Sequence, residues 1–229
     1  MIHERIVVFT GAGVSAESGL RTFRDSDGLW EEYRVEDVAT PEAWARDPRL
    51  VLRFYDERRA QVIAARPNPA HTAIAALEQR YHVDVITQNI DDLHERAGST
   101  RVLHLHGEIL KARSSMDPTH VVRLEGATIP WGATCPKGAQ LRPFIVWFGE
   151  EVPLLGDAAE LVGRADRLIV VGTSLQVYPA ATLVHHAPAH VPVHVVDPAP
   201  VHVPRSGVSW IEAGAAVGMP ALVDDLLAR

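Results

Sequence analysis

The chain has 229 residues, 47% of them hydrophobic and 22% charged, with a formal net charge of −7. That length carries one large domain, or a main domain with a smaller inserted lobe. The acidic balance argues against a basic nucleic-acid surface and otherwise reads as an ordinary solubility charge. No stretch approaches the roughly 18 apolar residues of a membrane span.

The amino terminus runs from MIHER straight into IVVF, with no basic segment, signal-like apolar core or small-residue cleavage site. Cys135 is the only cysteine. An intrachain disulfide is therefore impossible, and a reducing, cytoplasmic setting is expected. Lys111 and Lys137 are the only lysines, a compositional drift without functional content.

Taken in chain order, RIVVFT reads as a strand, and GAGVSA then sets Gly11, Gly13 and Ala16 in a G-x-G-x-x-A pattern. Glycines permit a tight turn and close backbone approach to a pyrophosphate, although a purely structural turn has the same composition. A dehydrogenase would next bring a second strand ending in an acid. Here GLRTFRDSDGLW intervenes, which counts against simple hydride transfer and suggests a loop folding over a nucleotide.

Residues 25–67 read as mainly helical, with Asp47 as N-cap and Pro48 at the first helical position. In RLVLRFYDERRAQVI, residues 49–63, the positions Val51, Tyr55, Arg58 and Val62 share one helix face. An arginine thus interrupts a stripe that the helix would bury. It either snorkels to the surface, helped by Asp56, Glu57 and Arg59, or meets a partner inside.

NPAHTAIAALEQR opens on the helix-start signal Asn68–Pro69, and the strand-like HVDVIT exposes Gln88, Asn89, Asp91 and His94 just past its end. RVLHLHGE does the same with His104 and His106. The chain holds 12 histidines, including HH, HAPAH and HVPVHVV, so any one of them alone carries little meaning. Residues 111–141 are loop-like and rich in Gly, Pro and Thr, with Met116, Val121, Val122, Leu124, Ile129 and Trp131 as a candidate apolar cluster.

FIVWFGEE, RLIVVGTS and VPVHVVDP are further strand-like runs. DAAELVGRA and MPALVDDLLAR are helical patterns. Continuous apolar runs suit parallel strands covered on both faces. The alternation with helices predicts an α/β, doubly wound, Rossmann-like parallel sheet. The expected main lobe covers about 1–24, 68–110 and 142–229, and a smaller inserted lobe covers about 25–67 and 111–141, within one domain spanning 1–229. Asp197 suits either a ribose hydroxyl or a turn cap before Pro198. Gly172, Thr173 and Ser174 stand at a strand's carboxyl end, where ligands gather.

The ordered set GAGVSAESGLRTFRDSDGLW, TQNIDDLH, HLHGE, WFGE and GTSLQVYPA resembles the sirtuins, NAD-dependent protein lysine deacylases, and most closely their bacterial branch. The likeness runs from about Ile6 to the carboxyl terminus and is poorer between residues 112 and 140. It implies NAD as co-substrate. Gly11, Ala12, Gly13 and Glu17 would form the nucleotide turn, and Phe23 and Arg24 a loop closing on NAD. Gln88, Asn89, Ile90 and Asp91 would line the nicotinamide and ribose pockets. Gly172, Thr173, Ser174, Asp197 and Ala215 would hold the adenosine end. Trp147, Phe148 and Gly149 would flank an acyl-lysine.

The catalytic residues implied are His106 as general base, with Asn89 and Asp91. Positive charge developing on the sugar needs buried polar groups, and an imidazole can take a ribose-hydroxyl proton at cellular pH. Tyr55 and Arg58 match a Y-x-x-R pair that recognises a negatively charged acyl group, which implies desuccinylase and demalonylase activity beside deacetylation. Most sirtuins carry four zinc-binding cysteines, but here Cys135 stands alone with Ser114 and Ser115 near the first expected pair. Zinc is therefore not expected. His120 and Asp117 form only a scattered pair. Val195 departs from the family's usual Asn two residues before Asp197, which weakens the ribose contact.

The expected partners are acylated lysine side chains of proteins, with no nucleic acid and no membrane. The oligomeric state stays open, and a monomer is compatible with the sequence. Two alternatives share the motifs: protein ADP-ribosyl transfer, which uses the same first step, and a non-catalytic NAD or ADP-ribose sensor, which needs no base at His106.

Overall fold

The computed structural model describes residues 4–20, 29–30 and 33–228. β1 (Arg5–Thr10) is followed by the single turn α1 (Gly13–Ala16). A two-stranded antiparallel pair, β2 (Leu29–Trp30) and β3 (Tyr33–Arg34), leads into α2 (Val35–Val38), α3 (Pro41–Arg46) and α4 (Pro48–Ala64). Then come α5 (Pro69–Ala76), β4 (His82–Thr87), α6 (Leu93–Ala97) and β5 (Val102–His104). β6 (Gly107–Ser114), β7 (Val121–Arg123) and β8 (Leu141–Ile145) form a three-stranded antiparallel sheet. The chain finishes with α7 (Leu155–Gly163), β9 (Arg167–Val171), β10 (Val193–Val196), β11 (Val208–Ile211) and α8 (Ala215–Ala228).

Six strands, in the order β11-β10-β9-β1-β4-β5, make one parallel sheet. Alternation along β1 decides its packing. Ile6 and Val8 join Ile74 of α5 and Leu222 of α8, while Val7 and Phe9 join Val162 of α7 and Leu183 of a 3-10 turn. Both faces are thus covered, which is why the strands read as unbroken apolar runs. From β1 the chain builds β4 and β5 on one side, then returns to lay β9, β10 and β11 on the other. The crevice between the carboxyl ends of β1 and β9 is the topological switch point, where such sheets bind ligands.

The helix starts are chemically specified. Asp47 Oδ1 accepts the Leu50 amide at 3.0 Å, with Pro48 at the first helical position of α4. Asn68 and His71 close a capping box around α5.

Three expectations change. FIVWFGEE is not a parallel strand: its first residues end β8, which pairs antiparallel with β6. RVLHLHGE splits between sheets, because β5 stops at His104 and β6 begins at Gly107. Gly107 has φ 85°, and a Cβ there would lie 2.1 Å from Phe144 O, so this crossing needs glycine. Finally, Met116, Val121 and Trp131 are exposed, and the small apolar cluster is instead built from Leu52, Ala112 and Ile129, with Val122 and Leu124 against it.

Candidate active site

The turn after β1 is locked against the turn after β9. Gly11 N donates to Val171 O at 3.1 Å and Gly13 N to Gly172 O at 2.8 Å. Gly172 takes φ 62°, and a Cβ there would lie 2.3 Å from Val14 N. A side chain would force the two loops apart. Ala12 points outward from this contact and is exposed, and Ser174 follows buried Thr173 half-buried.

Polar groups converge beside that turn. Ser15 Oγ donates to Asp91 Oδ2 at 3.0 Å, accepts from Asn89 Nδ2 at 3.0 Å, and lies 3.4 Å from His71 Nε2. Asp91 Oδ1 accepts the Leu93 amide at 3.1 Å. Burial raises the Asp91 carboxyl above its ordinary range, against the opposing pull of that amide and of the Ser15 hydroxyl. Gln88 Nε2 reaches Thr173 Oγ1 at 3.0 Å, and Ile90 O accepts the Ile109 amide at 2.8 Å. Residues 88–91 are therefore fixed from three sides. Sequence reasoning gave Ser15 no role, although a hydroxyl in the otherwise small, apolar opening of α1 was the available signal.

Behind this network Thr10, Thr87, His71 and His94 are fully buried. Thr10 Oγ1 lies 2.8 Å from Thr87 Oγ1 and 3.1 Å from His94 Nε2, and the His71 and His94 rings meet edge to face. Burial lowers His71 to about 4, and burial followed by the charges of His71 and His104 holds His94 well below the imidazole range. Both rings are neutral at pH 7, and this is a packing role for His94.

His106 Nδ1 lies 3.0 Å from the carbonyl oxygen of Gln88. A carbonyl only accepts, so Nδ1 carries the hydrogen and Nε2 keeps a lone pair in the neutral ring. Burial lowers the His106 pKa, partly offset by the Gln88 contact. A neutral imidazole with a fixed tautomer is what a general base requires.

A second wall is built from α4 and the turn after β8. Tyr55 is fully buried and its hydroxyl accepts from Trp147 Nε1 at 3.1 Å. Burial pushes the phenol upward, so it stays protonated. Arg58 is only 6% exposed, which excludes the snorkelling alternative. Arg59, treated above as a surface neighbour, is the more deeply buried of the two. It ties α4 to the small sheet through Ile109 O at 2.6 Å and to the loop after β7 through Ala127 O at 2.7 Å, and pairs with Asp56 of its own helix at 2.7 Å. Arg142 lies 3.4 Å over the Trp147 ring and pairs with Glu150, whose carboxylate also accepts the Trp147 amide. The Phe148 amide donates to Ala39 O while the ring stays exposed, and Gly149 has φ 89°.

Residues 11–179 match the family model described as "Sir2 family". The chain belongs to the Sir2 family. An NAD-dependent protein deacylase of Helicobacter pylori (strain ATCC 700392 / 26695) is 50% identical over 226 residues, 98% of each chain. One of Bacteroides thetaiotaomicron is 49% identical over 226 residues, 96% of each. Among solved structures, a Sir2 homologue–NAD complex is 42% identical with a TM-score of 0.89, covering 99% of this chain and 90% of that one. Sir2Af2 bound to a myristoylated histone peptide is 33% identical with a TM-score of 0.73, covering 99% and 92%.

Other positions singled out in this Sir2 chain lie nearby with different local duties. Glu17 Oε1 accepts the Ala216 amide at 2.9 Å, tying the first turn to the start of α8. Ala215 is buried in the core. Asp197 is buried and caps its own turn, Oδ1 accepting the Ala199 amide at 3.0 Å. Phe23 and Arg24 lie outside the described residues. Among the described residues no group of three His, Cys, Asp or Glu side chains is arranged to hold a metal. Cys135 Sγ instead accepts from Ser114 Oγ at 3.3 Å, and Lys137 meets Asp117 at 2.7 Å. This donor set does not fit a four-thiolate zinc.

Proposed function

We propose that this sirtuin is an NAD-dependent protein-lysine deacylase, acting in the cytoplasm on succinyl-, malonyl- and acetyl-lysine side chains of proteins. One observation supports the reading: His106, held in a single tautomer by Gln88 O, is hydrogen-bonded to the 88–91 segment that carries the Ser15–Asn89–Asp91 network. The naming of relatives at about half identity as NAD-dependent protein deacylases supports it.

NAD supplies the departing nicotinamide and the ribose that receives the acyl group. Gly11, Ala12, Gly13, Glu17, Gly172, Thr173, Ser174, Asp197 and Ala215 would cradle its nucleotide part, with Phe23 and Arg24 closing over it. Gln88, Asn89, Ile90 and Asp91 would surround the ribose and nicotinamide. A site fixed by Ser15, Thr173 and the Leu93 amide needs no reorganisation as charge develops. His106 Nε2 would take the proton of a ribose hydroxyl, leaving the oxygen to attack. Tyr55 and Arg58 would grip an acyl carboxylate, while Phe148 and Gly149 offer backbone to the substrate chain and Trp147 walls the channel. The two-lobed arrangement would close around that channel. The small lobe holds without zinc, an inference supported by the Ser114–Cys135 contact.

The test is purified protein with NAD and a panel of acyl-lysine peptides, with products identified by mass spectrometry. Free lysine and O-acyl-ADP-ribose are expected, with His106→Ala slower by about 10²- to 10⁴-fold. Transfer of ADP-ribose to protein in place of deacylation refutes the reading.

A further inference from the structure

His104 stands two residues before His106 and is not used by the chemistry above, yet both of its ring nitrogens are engaged. Nδ1 lies 3.1 Å from Asn89 O, and Nε2 lies 2.7 Å from Glu95 Oε1. A peptide carbonyl accepts only, and so does an ionised carboxylate, whereas a neutral imidazole has one N–H. Satisfying both partners takes a second proton. That proton rests on the ring, because the Glu95 side chain is 41% exposed and its carboxyl is held low: burial raises it, but the His104 hydrogen bond and charge outweigh that.

We propose that His104 and Glu95 form an imidazolium–carboxylate pair that positions Asn89, and that deacylation weakens when His104 loses its proton. This rests on the deacylase reading and adds a positioning residue to it. The two histidines hold successive carbonyls, His106 that of Gln88 and His104 that of Asn89. Asn89 has two further anchors, its side chain to Ser15 and its amide to Thr87 Oγ1. Only the carbonyl anchor is made directly to a titrating group. In the neutral ring the single N–H goes to the charged carboxylate, the stronger acceptor. Nδ1 then turns a lone pair toward Asn89 O, and the contact becomes repulsive.

The surroundings favour the charged ring. Glu95 from α6, Glu108 from β6 and Asp91 from the loop after β4 face it with negative charge, and His94 contributes none. Positive charge comes from Arg96 on α6, Lys111 on β6 and Arg123 on β7, which line the same cavity of about 260 Å³; Lys111 is committed to Glu108. Burial alone would lower the His104 pKa. The hydrogen bond and charge of Glu95, then Asn89 O and Glu108, reverse that and hold it above the ordinary imidazole range.

The test is the pH profile of kcat/KM on an acetyl-lysine peptide with saturating NAD, for the wild type and Glu95→Gln. Removing the carboxylate charge lowers the His104 pKa. With no charged acceptor to compete, a neutral ring keeps its N–H on Nδ1 for Asn89 O and accepts at Nε2 from the new amide. The wild type's alkaline limb is therefore expected to vanish from the variant, about tenfold in relative rate at the upper end, with activity near pH 6 within about twofold. A merely structural loss would scale the whole curve without moving the limb, and that result overturns the proposal. Nitrogen NMR of the His104 ring reads the same claim without turnover: two N–H groups at pH 7 support it, and a neutral ring overturns it. Wild-type protein that leaves every acyl peptide intact would fail the deacylase reading, and the NMR titration of both proteins would still decide this one.

Discussion

The parallel sheet and the three-stranded sheet meet at Leu105–His106 and are held by different forces. In β1 and β9, Ile6 to Phe9 and Leu168 to Val171 have no solvent exposure, so hydrophobic burial carries that lobe, each such side chain contributing about 1.5–3 kcal/mol. The three-stranded sheet buries Ile109, Ala112 and Ile145 but leaves Val121 exposed. Much of its cohesion is added by polar ties: Arg59 to two carbonyls, Arg142 to Glu150, and Ser114 to Cys135. The lesson is that periodicity reports only the first kind of cohesion. A polar tie between Ser114 and Cys135 leaves no repeat in the sequence.

Substitutions on both sides would break or sharpen that contrast. Ile169→Ala, in the centre of the parallel sheet, is expected to cost about 2–5 kcal/mol in denaturant unfolding, against less than about 0.5 kcal/mol for Val121→Ala. Similar losses at both positions would erase the distinction.

Acid should attack the parallel-sheet lobe through its buried imidazoles. His71 is lowered to about 4 in the folded chain by burial, and an unfolded imidazole titrates near about 6.5. Between those values the unfolded chain binds a proton that the folded one refuses. The stability contributed by neutral His71 is therefore complete above about pH 6.5 and is lost as pH falls toward 4, by roughly 3 kcal/mol, with His94 acting in the same direction. Melting temperatures from pH 7 to 4.5 would show it, and a flat profile would contradict it.

Smaller effects are expected at the substrate wall and the small sheet. Arg58→Met should lower kcat/KM for a succinyl peptide by about tenfold and leave an acetyl peptide within about twofold, since only the former offers a carboxylate to the guanidinium. Equal losses on both peptides would defeat the specificity claim. Ser114→Ala removes the donor to Cys135 and the acceptor for the Met116 and Asp117 amides. About 1 kcal/mol of destabilisation is expected in chemical unfolding. A chelator should leave the melting temperature unchanged, and one zinc per chain by elemental analysis would overturn the metal-free small lobe.

The sequence by itself determined the parallel sheet, its helix starts and the turn after β1. Those features are local: a two-sided apolar run, an Asn68 or Asp47 cap and a glycine turn each act within a few residues. It also marked Asn89, Asp91 and His106 through ordered motifs. Only the tertiary structure decided which groups meet across the chain. Ser15 reaches Asp91 over 76 positions, Arg59 reaches Ala127 over 68, and Phe144 and Ile145 end a strand paired with β6 instead of joining the parallel sheet. Such contacts depend on where separate elements come to rest, and a buried polar group is satisfied by whichever partner the packing delivers. For the same reason no spacing in HLHG could reveal that His104 holds one carbonyl and one carboxylate at once.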